Sequence, residues 1–441
     1  MVKPITFCIA TAKNEKQYLK LLLESLQKNT EIIKHEVLVF IDTDNQNTYD
    51  YLLNKKKEMP NLKIHKNKLE FQIGGQRNVS VMFNYAKNEL VCNLHSDMVV
   101  GLDFDKHISE AMNEKNIFLS CTRIEPPLHP PDHQKIVVDF GLTPETFNFD
   151  EFNLFVKKLQ NENRRSINEY STPFVIYKDV YFNLIGGFDT QFRCSSEDHD
   201  MMIRLEQNGI KCIQIWNACV YHFTCISSRG KDWYKKEDRE IMYTNTLQQY
   251  ADIEEKKRFI RKWGFFGRSK RSVYDIGLFI DMDMAVDFTI LETVEPYFTQ
   301  IYLNDNAVKN FLLETIKFKS DYYANLRWGY SHDFWKSRKY LFESVNQENR
   351  ILFMEDTNKI KNDCLMEIKF SDLLNSLSNN IYPEIKYVMQ NPHLIVDSYE
   401  TGIYELMSLK IKIRNKNDVS EKMKRFNMID DILKDDNFEF I

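Results

Sequence analysis

Glu89-Leu90-Val91-Cys92-Asn93-Leu94 runs without a break into His95-Ser96-Asp97. A short apolar run of this length reads as a buried strand, and the groups after it are able to ligate or titrate. The same arrangement recurs upstream. Ile5 to Ala10 reads as a strand ending in Thr11-Ala12-Lys13-Asn14-Glu15, and Val37 to Ile41 as one ending in Asp42-Thr43-Asp44-Asn45. Between them Tyr18, Leu19, Leu22, Leu23 and Leu26 recur at helical spacing. A third strand is expected around Leu62 to His65, and Gly74-Gly75 precedes an amphipathic helix through Val79, Met82, Phe83 and Ala86. Residues 117–123 and 174–177, then Ile210 to Trp216 and Cys219 to Phe223, complete the set of strands. Such alternation over roughly the first 265 residues predicts an α/β fold with a mostly parallel sheet. Open sheets of that kind bind ligands just past the strand C-terminal ends, where the polar residues sit here.

The chain of 441 residues carries 59 Lys+Arg against 64 Asp+Glu, a formal net charge of −5, and is 43% hydrophobic. That composition supports sizeable cores and excludes wholesale disorder. Its slight acidic excess provides no basic face for nucleic acid. No apolar run reaches the ~18–20 residues of a membrane span. The start, MVKPITFCIATAKNE, lacks a secretory cleavage pattern, so a cytoplasmic protein is expected. The basic stretch Arg268-Ser269-Lys270-Arg271 is read as a solvated linker between domains at 1–267 and 273–441. Beyond it, strand signals at 276–280, 299–303, 351–354 and 394–396 alternate with helix-like stretches at 288–294 and 307–316. They suggest a smaller C-terminal α/β domain of unread role, ending in a charged surface helix from Glu421. Of the eight cysteines, Cys212, Cys219 and Cys225 lie near His222 but lack the paired CxxC knuckles of a zinc site. Reduced thiols packed in a core are the expected reading.

The acidic clusters carry the chemistry. An Asp at a strand end, taken alone, is as readily a turn or a helix cap. Glu197-Asp198-His199-Asp200 opens a helix whose core face continues through Met201, Met202 and Leu205. There Asp198 could be a carboxylate favoured by the helix dipole, and Asp200 can pair with Arg204 one turn on.

Taken together and in order, these segments resemble family-2 glycosyltransferases of the GT-A fold over about residues 3–232. The matching pieces are Ile9-Ala10-Thr11-Ala12-Lys13-Asn14-Glu15, Asp42-Thr43-Asp44-Asn45, Gly74-Gly75-Gln76-Arg77-Asn78, and His95-Ser96-Asp97 in the DxD position. Gly186-Gly187-Phe188-Asp189, Glu197-Asp198, Arg204-Leu205, Gly209 and Val220-Tyr221-His222 follow. About a hundred residues separate Asp97 from Asp198, a spacing also typical of the family.

The resemblance implies a Rossmann-like catalytic domain and a metal-dependent, inverting transfer. The sugar would move from a nucleotide diphosphate sugar, UDP-linked by default, to a hydroxyl of a glycan or glycoconjugate. Thr11, Ala12, Glu15, Asp42, Asp44, Gln76, Arg77, His95, Ser96, Asp97 and Lys231 would face the nucleotide sugar. Asp97 and His222, with His95, would ligate Mn²⁺ or Mg²⁺, which neutralises charge growing on the departing diphosphate. Asp198 would be the general base that takes the acceptor's proton, and Glu197 would orient the acceptor or Asp198. His95 stands where the family usually has an acid, which removes one negative charge from the metal site. Ser227-Ser228-Arg229-Gly230-Lys231 reads either as a mobile cationic loop over the donor or as an ordinary surface loop. Trp233 and Tyr234 are a sugar platform or a packing anchor. Two other readings stay open: a catalytically inactive binder of glycans or nucleotide sugars, and a sugar-nucleotide pyrophosphorylase. The latter normally carries a Gly-rich phosphate loop where this chain has Ala12-Lys13-Asn14-Glu15.

Overall fold

The computed structural model describes residues 2–224 apart from 70–72, 163, 165, 168, 170, 190–191 and 193–195. It also describes Phe259 and short strands of the C-terminal half. The elements are β1 (Ile5–Thr11), α1 (Lys16–Asn29), β2 (Glu36–Ile41), α2 (Thr48–Glu58) and β3 (Leu62–Asn67). There follow α3 (Gly75–Tyr85), β4 (Leu90–His95), β5 (Met98–Val100), α4 (Phe104–Ala111), β6 (Ile117–Glu125) and β7 (Lys135–Val137). Next come α5 (Phe149–Asn161), β8 (Phe174–Tyr177), α6 (Glu197–Gln207) and β9 (Lys211–His222). Further on lie β10 (Ile276–Ile280), β11 (Gln300–Leu303), β12 (Ile351–Phe353), β13 (Met366–Lys369), β14 (Gly402–Leu406), β15 (Leu409–Ile413) and β16 (Phe438–Phe440). The chain divides into two compact units, 1–251 with 427–441, and 252–426.

The first unit holds a sheet ordered β16-β3-β2-β1-β4-β8-β6-β9-β5, with β7 alongside β6. β1 pairs in parallel with both β2 and β4, β2 with β3, and β6 with β9. β8 runs antiparallel to both β4 and β6, so β4 and β6 point the same way. The C-terminal ends of β1, β2, β4, β6 and β9 therefore share one rim.

The sheet is covered on both faces, which is why its central strands read as continuous apolar runs. In β1, Ile5, Phe7 and Ile9 face one cluster with Leu19, Leu22, Leu23 and Leu26 of α1 and Phe104 and Ile108 of α4. Cys8, between them, faces the opposite cluster, with Val79, Met82 and Phe83 of α3 and Met201, Met202 and Leu205 of α6. This is the two-residue alternation of a strand. A third cluster packs Phe152, Val156 and Leu159 of α5 on Val99, Ile124 and Tyr221. Cys212 and Cys219 belong to different clusters, so they do not form a common zinc set. Cys225 and Cys364 lie outside the described residues.

The strands expected at 5–10, 37–41, 62–65, 89–94, 117–123 and 174–177 are all present, each within a residue or two. The two expected over 210–216 and 219–223 are one strand, β9. A register shift between Cys121 and Thr122 takes the partner from Ile215 to Cys219, so a bulge absorbs the interruption without ending the ladder. In the second unit the sheet order is β12-β11-β10-β13-β15-β14, parallel from β12 to β13 and antiparallel through β15 and β14. The expected strand at 394–396 and the helices at 288–294 and 307–316 lie outside the described residues. Residues 421–437 of the expected terminal helix do too, but Phe438–Phe440 pairs antiparallel with β3. Among the described residues no helix is long and apolar enough to cross a membrane.

The start of β1 is tied down by a buried relay. The Ile5 N–H donates to His35 Nδ1 at 3.2 Å, so Nε2 carries the ring proton and meets Asp105 Oδ2 at 2.9 Å. The same oxygen accepts the Glu31 N–H at 2.9 Å. Burial works against the Asp105 charge, but the His35 and Glu31 bonds outweigh it and hold its carboxyl below the ordinary aspartate range. A depressed carboxyl stabilises the fold above its ordinary value and loses that contribution as pH falls. Asp105→Asn is expected to cost about 2 kcal/mol at neutral pH. In urea melts the gap to the parent chain should close as pH drops below 3.8; a gap independent of pH would show that the charge does not contribute.

Candidate functional site

Three residues meet on the rim with the donor set of a metal centre. His95 ends β4, Asp97 lies in the turn that follows, and His222 ends β9. One ligand atom from each lies within 4.8 Å of the others. Around an ion with bonds of ~2.1 Å, neighbouring donors stand about 3 Å apart and opposed ones about 4.2 Å, so a small closure suffices. The approach is built by backbone pairing. Met98 of β5 pairs with His222, and the Phe223 N–H donates to the Asp97 carbonyl at 3.0 Å. His222 Nε2 stands 3.5 Å from Asp97 Oδ1, and the His95 and His222 rings meet edge to face at 5.8 Å. Burial pushes His95 down to about 4, with Asp97 opposing and the His222 and Arg123 charges assisting. It is therefore a neutral imidazole with a lone pair to give. His222 is different. Burial disfavours its charge, yet Asp97 and Glu125 raise it to about 9. Ligation at Nε2 requires that proton to leave. Asp97 and His222 are buried and His95 half-buried, and one carboxylate with two imidazoles is a donor set suited to a borderline divalent ion.

Glu15 closes one side of this cluster. Its Oε2 accepts from the Ser96 hydroxyl at 2.6 Å and from the Ala12 N–H at 2.8 Å, joining the end of β1 to the turn holding Asp97. Burial raises Glu15 to about 7, with Asp97 adding to the rise. Thr11, Ala12, Glu15, His95, Ser96, Asp97 and His222 are thus brought together.

Asp42 and Asp44 are engaged by the chain itself. Asp42 Oδ1 accepts from Asn67 Nδ2 (2.9 Å) and the Ile73 N–H (3.0 Å); Oδ2 accepts from Asn78 Nδ2 (3.0 Å) and the Gly74 N–H (3.3 Å). These four bonds fill the acceptor sites of a carboxylate. They clamp the start of α3, where Gly74 has φ +91°. Asp44 accepts the Gln46 and Tyr49 N–H groups and so caps the start of α2. Arg77 is buried and its Nη1 donates to the Ile73 carbonyl at 3.3 Å. The Gln76 side chain and all of Lys231, Ser227–Arg229, Trp233 and Tyr234 lie outside the described residues.

Glu197 and Asp198 form the first turn of α6, both half-buried, with Asp198 Oδ1 accepting the His199 N–H at 2.8 Å. Asp200 has the structural role expected of it. Its Oδ2 takes Arg204 Nη2 at 2.7 Å and Nε at 3.0 Å, and Arg204 Nη1 donates to the carbonyls of Ile185 and Gly187. One ion pair thus anchors α6 to the Gly186-Gly187 turn.

Residues 7–181 match the sequence profile of Glycosyl transferase family 2. This stretch is a family-2 glycosyltransferase domain. No curated protein matches the chain. Among solved structures, GalNAc-T7 with UDP, GalNAc and Mn²⁺ aligns at 14% identity and TM-score 0.38, over 50% of this chain and 44% of that one. S. aureus TarS aligns at 16% and 0.37, over 59% and 43%. Mannosyltransferase PcManGT from Pyrobaculum calidifontis, in complex with GDP-Man and Mn²⁺, aligns at 14% and 0.37, over 57% and 64%. The chain spans less than half the length of the GalNAc-T7 and TarS chains.

Within the glycosyltransferase domain the sequence reading passed over Glu125, whose Oε1 lies 2.9 Å from His222 Nδ1. The available signal was its place as the polar end of a buried strand, Ile117–Glu125, the criterion that singled out Asp97. Gly187 offers a test of the turn beside α6. Its φ is +77°, and an added Cβ would stand 3.2 Å from the Tyr181 ring, whose hydroxyl is fixed by Ser80 and by the Phe188 N–H. Gly187→Ala is expected to cost about 1–3 kcal/mol through left-handed strain. Urea unfolding should show a lower midpoint at unchanged slope; an unmoved midpoint would mean that the turn tolerates a side chain.

Proposed function

We propose that this chain transfers a sugar, with inversion, from a nucleotide diphosphate sugar to a hydroxyl of a glycan or glycoconjugate. UDP is the default nucleotide by family resemblance. The observation that carries the reading is the His95–Asp97–His222 cluster on the rim of a family-2 glycosyltransferase domain. Asp97 and His222, with His95 as third donor, would hold Mn²⁺ or Mg²⁺. A divalent ion there supplies positive charge to a departing diphosphate. In this reading Thr11, Ala12, Glu15, Gln76 and Ser96 belong to the nucleotide-sugar site. Asp42 and Asp44 shape it by holding the starts of α3 and α2, while Arg77 and Lys231 would supply positive charge near the diphosphate. Asp198 accepts the acceptor hydroxyl's proton as its oxygen attacks the anomeric carbon, and Glu197 orients the acceptor or Asp198. The second unit has an accessory role, and a cytoplasmic setting is part of the same proposal.

Calorimetry or thermal shift with nucleotide sugars and Mn²⁺ tests donor binding, since a ligand of the folded state raises its melting temperature. Asp198→Asn is expected to lower turnover by about 10²–10⁴-fold with donor affinity retained. Undiminished transfer in that variant would remove Asp198 from the mechanism. Asp97→Ala should weaken Mn²⁺ and UDP binding together; normal binding of both by calorimetry would move the metal elsewhere. A parent chain that binds donor but neither hydrolyses nor transfers it would be a binder.

A further inference from the structure

The carboxylate of Glu125 lies behind His222 on the side away from Asp97. Glu125 is the last residue of β6 and His222 the last of β9, and the two strands pair in parallel, with Ile124 opposite Tyr221. Both side chains consequently leave the same face at the rim, and Oε1 meets Nδ1 at 2.9 Å although 97 residues separate them. The second oxygen is held as well. β7 pairs in parallel with β6, with Lys135 opposite Arg123, and delivers the Lys135 ammonium to Oε2 at 2.9 Å. Arg123 Nη1 stands 3.4 Å from Oε1. Glu125 and Lys135 are nearly sealed from solvent, with side chains 4% and 6% exposed.

From this geometry we propose that Glu125 is a positioning residue that makes His222 a competent metal ligand. The inference rests on the reading of His95, Asp97 and His222 as the cation site. A neutral imidazole has one N–H and one lone pair, and only the bare nitrogen can ligate. The nitrogen facing Asp97 and His95 is Nε2, so the proton must reside on Nδ1. A carboxylate can only accept, so when the ring gives up one proton on ligation the proton it keeps is the one on Nδ1, 2.9 Å from Glu125 Oε1, and the ring plane is fixed. Lys135 adds direction: by occupying Oε2 it leaves Oε1 aimed at the ring.

Glutamine at this position reverses the logic. Its amide cannot turn an NH₂ toward the Lys135 ammonium, so it turns its oxygen there and presents the NH₂ to Nδ1. That nitrogen must then accept, the ring proton moves to Nε2, and the metal-facing lone pair is lost. Outer-sphere partners of this kind typically change metal affinity by about 10–100-fold.

The test titrates Mn²⁺ alone into the full chain, followed by electron paramagnetic resonance of the free ion. Histidine ring nitrogens are read by ¹⁵N NMR with Mg²⁺ present, and urea unfolding is run beside both. The expected result is a Kd for Mn²⁺ weakened about 10–100-fold in Glu125→Gln, with the His222 proton moved from Nδ1 to Nε2. Glu125→Asp should recover part of the affinity if a water bridges the gap, and Lys135→Met should give a smaller loss with the tautomer unchanged. If Glu125→Gln does not fold, Lys135→Met and the spectrum of the Mg²⁺-loaded parent decide: a His222 ring with Nδ1 bare and its proton on Nε2 overturns the proposal. Lowered urea stability with unchanged Mn²⁺ affinity in Glu125→Gln overturns it as well, leaving Glu125 a packing residue. Failure of the parent chain to bind Mn²⁺ is a different result, because it removes the cation site itself.

Discussion

The shared direction of β1, β2, β4, β6 and β9 is the constraint on which the site depends. Parallel neighbours end on the same side of a sheet, so residues past those ends are gathered however far apart they lie in the chain. Thr11, Asp42, His95–Asp97, Glu125 and His222 each follow or end one of these strands. The direction holds because β1, β2, β4 and β6 are buried on both faces, and unpaired backbone groups in such a layer are costly. A one-residue slip of β9 against β6 would turn His222 away from Glu125 and into the opposite cluster.

Burial then sets the chemistry of the rim. Removing water makes isolated charges expensive, and His95, Glu15, Glu125 and His222 are each paired or pushed toward neutrality. His95 is driven neutral, Glu15 is raised to about 7, and Asp97 and Glu125 share the His222 ring between them. Lys135 and Arg123 complete the compensation on the far side of Glu125. The site is thus held in shape by charge pairing before any ligand arrives, which limits the reorganisation that ligand binding demands.

Much of this was legible in the amino-acid order. Apolar runs of strand length located β1, β2, β3, β4, β6 and β8, and helical spacing located α1 and α3, because periodicity reports which face is buried. The polar residues past β1 and β4 pointed to the cluster around Asp97. Short elements were not legible: β5 and β7 have three residues each, too few to display a period. α5 was also passed over, and it is held in place by an aromatic cluster that forms only when Phe140, Phe147 and Tyr221 converge.

Local sequence alone determined where the strands run and which residues follow their ends, since alternation and strand length are properties of short segments. It also determined the Asp200–Arg204 pair, because residues four apart on a helix are neighbours whatever surrounds them. Tertiary structure decided what each acidic residue does. Asp42 spends its acceptor sites on Asn67, Ile73, Gly74 and Asn78, Asp44 caps α2, and Glu125 backs His222. Those roles depend on strand register and on which buried donors remain to be satisfied. Neither quantity exists until the sheet has assembled.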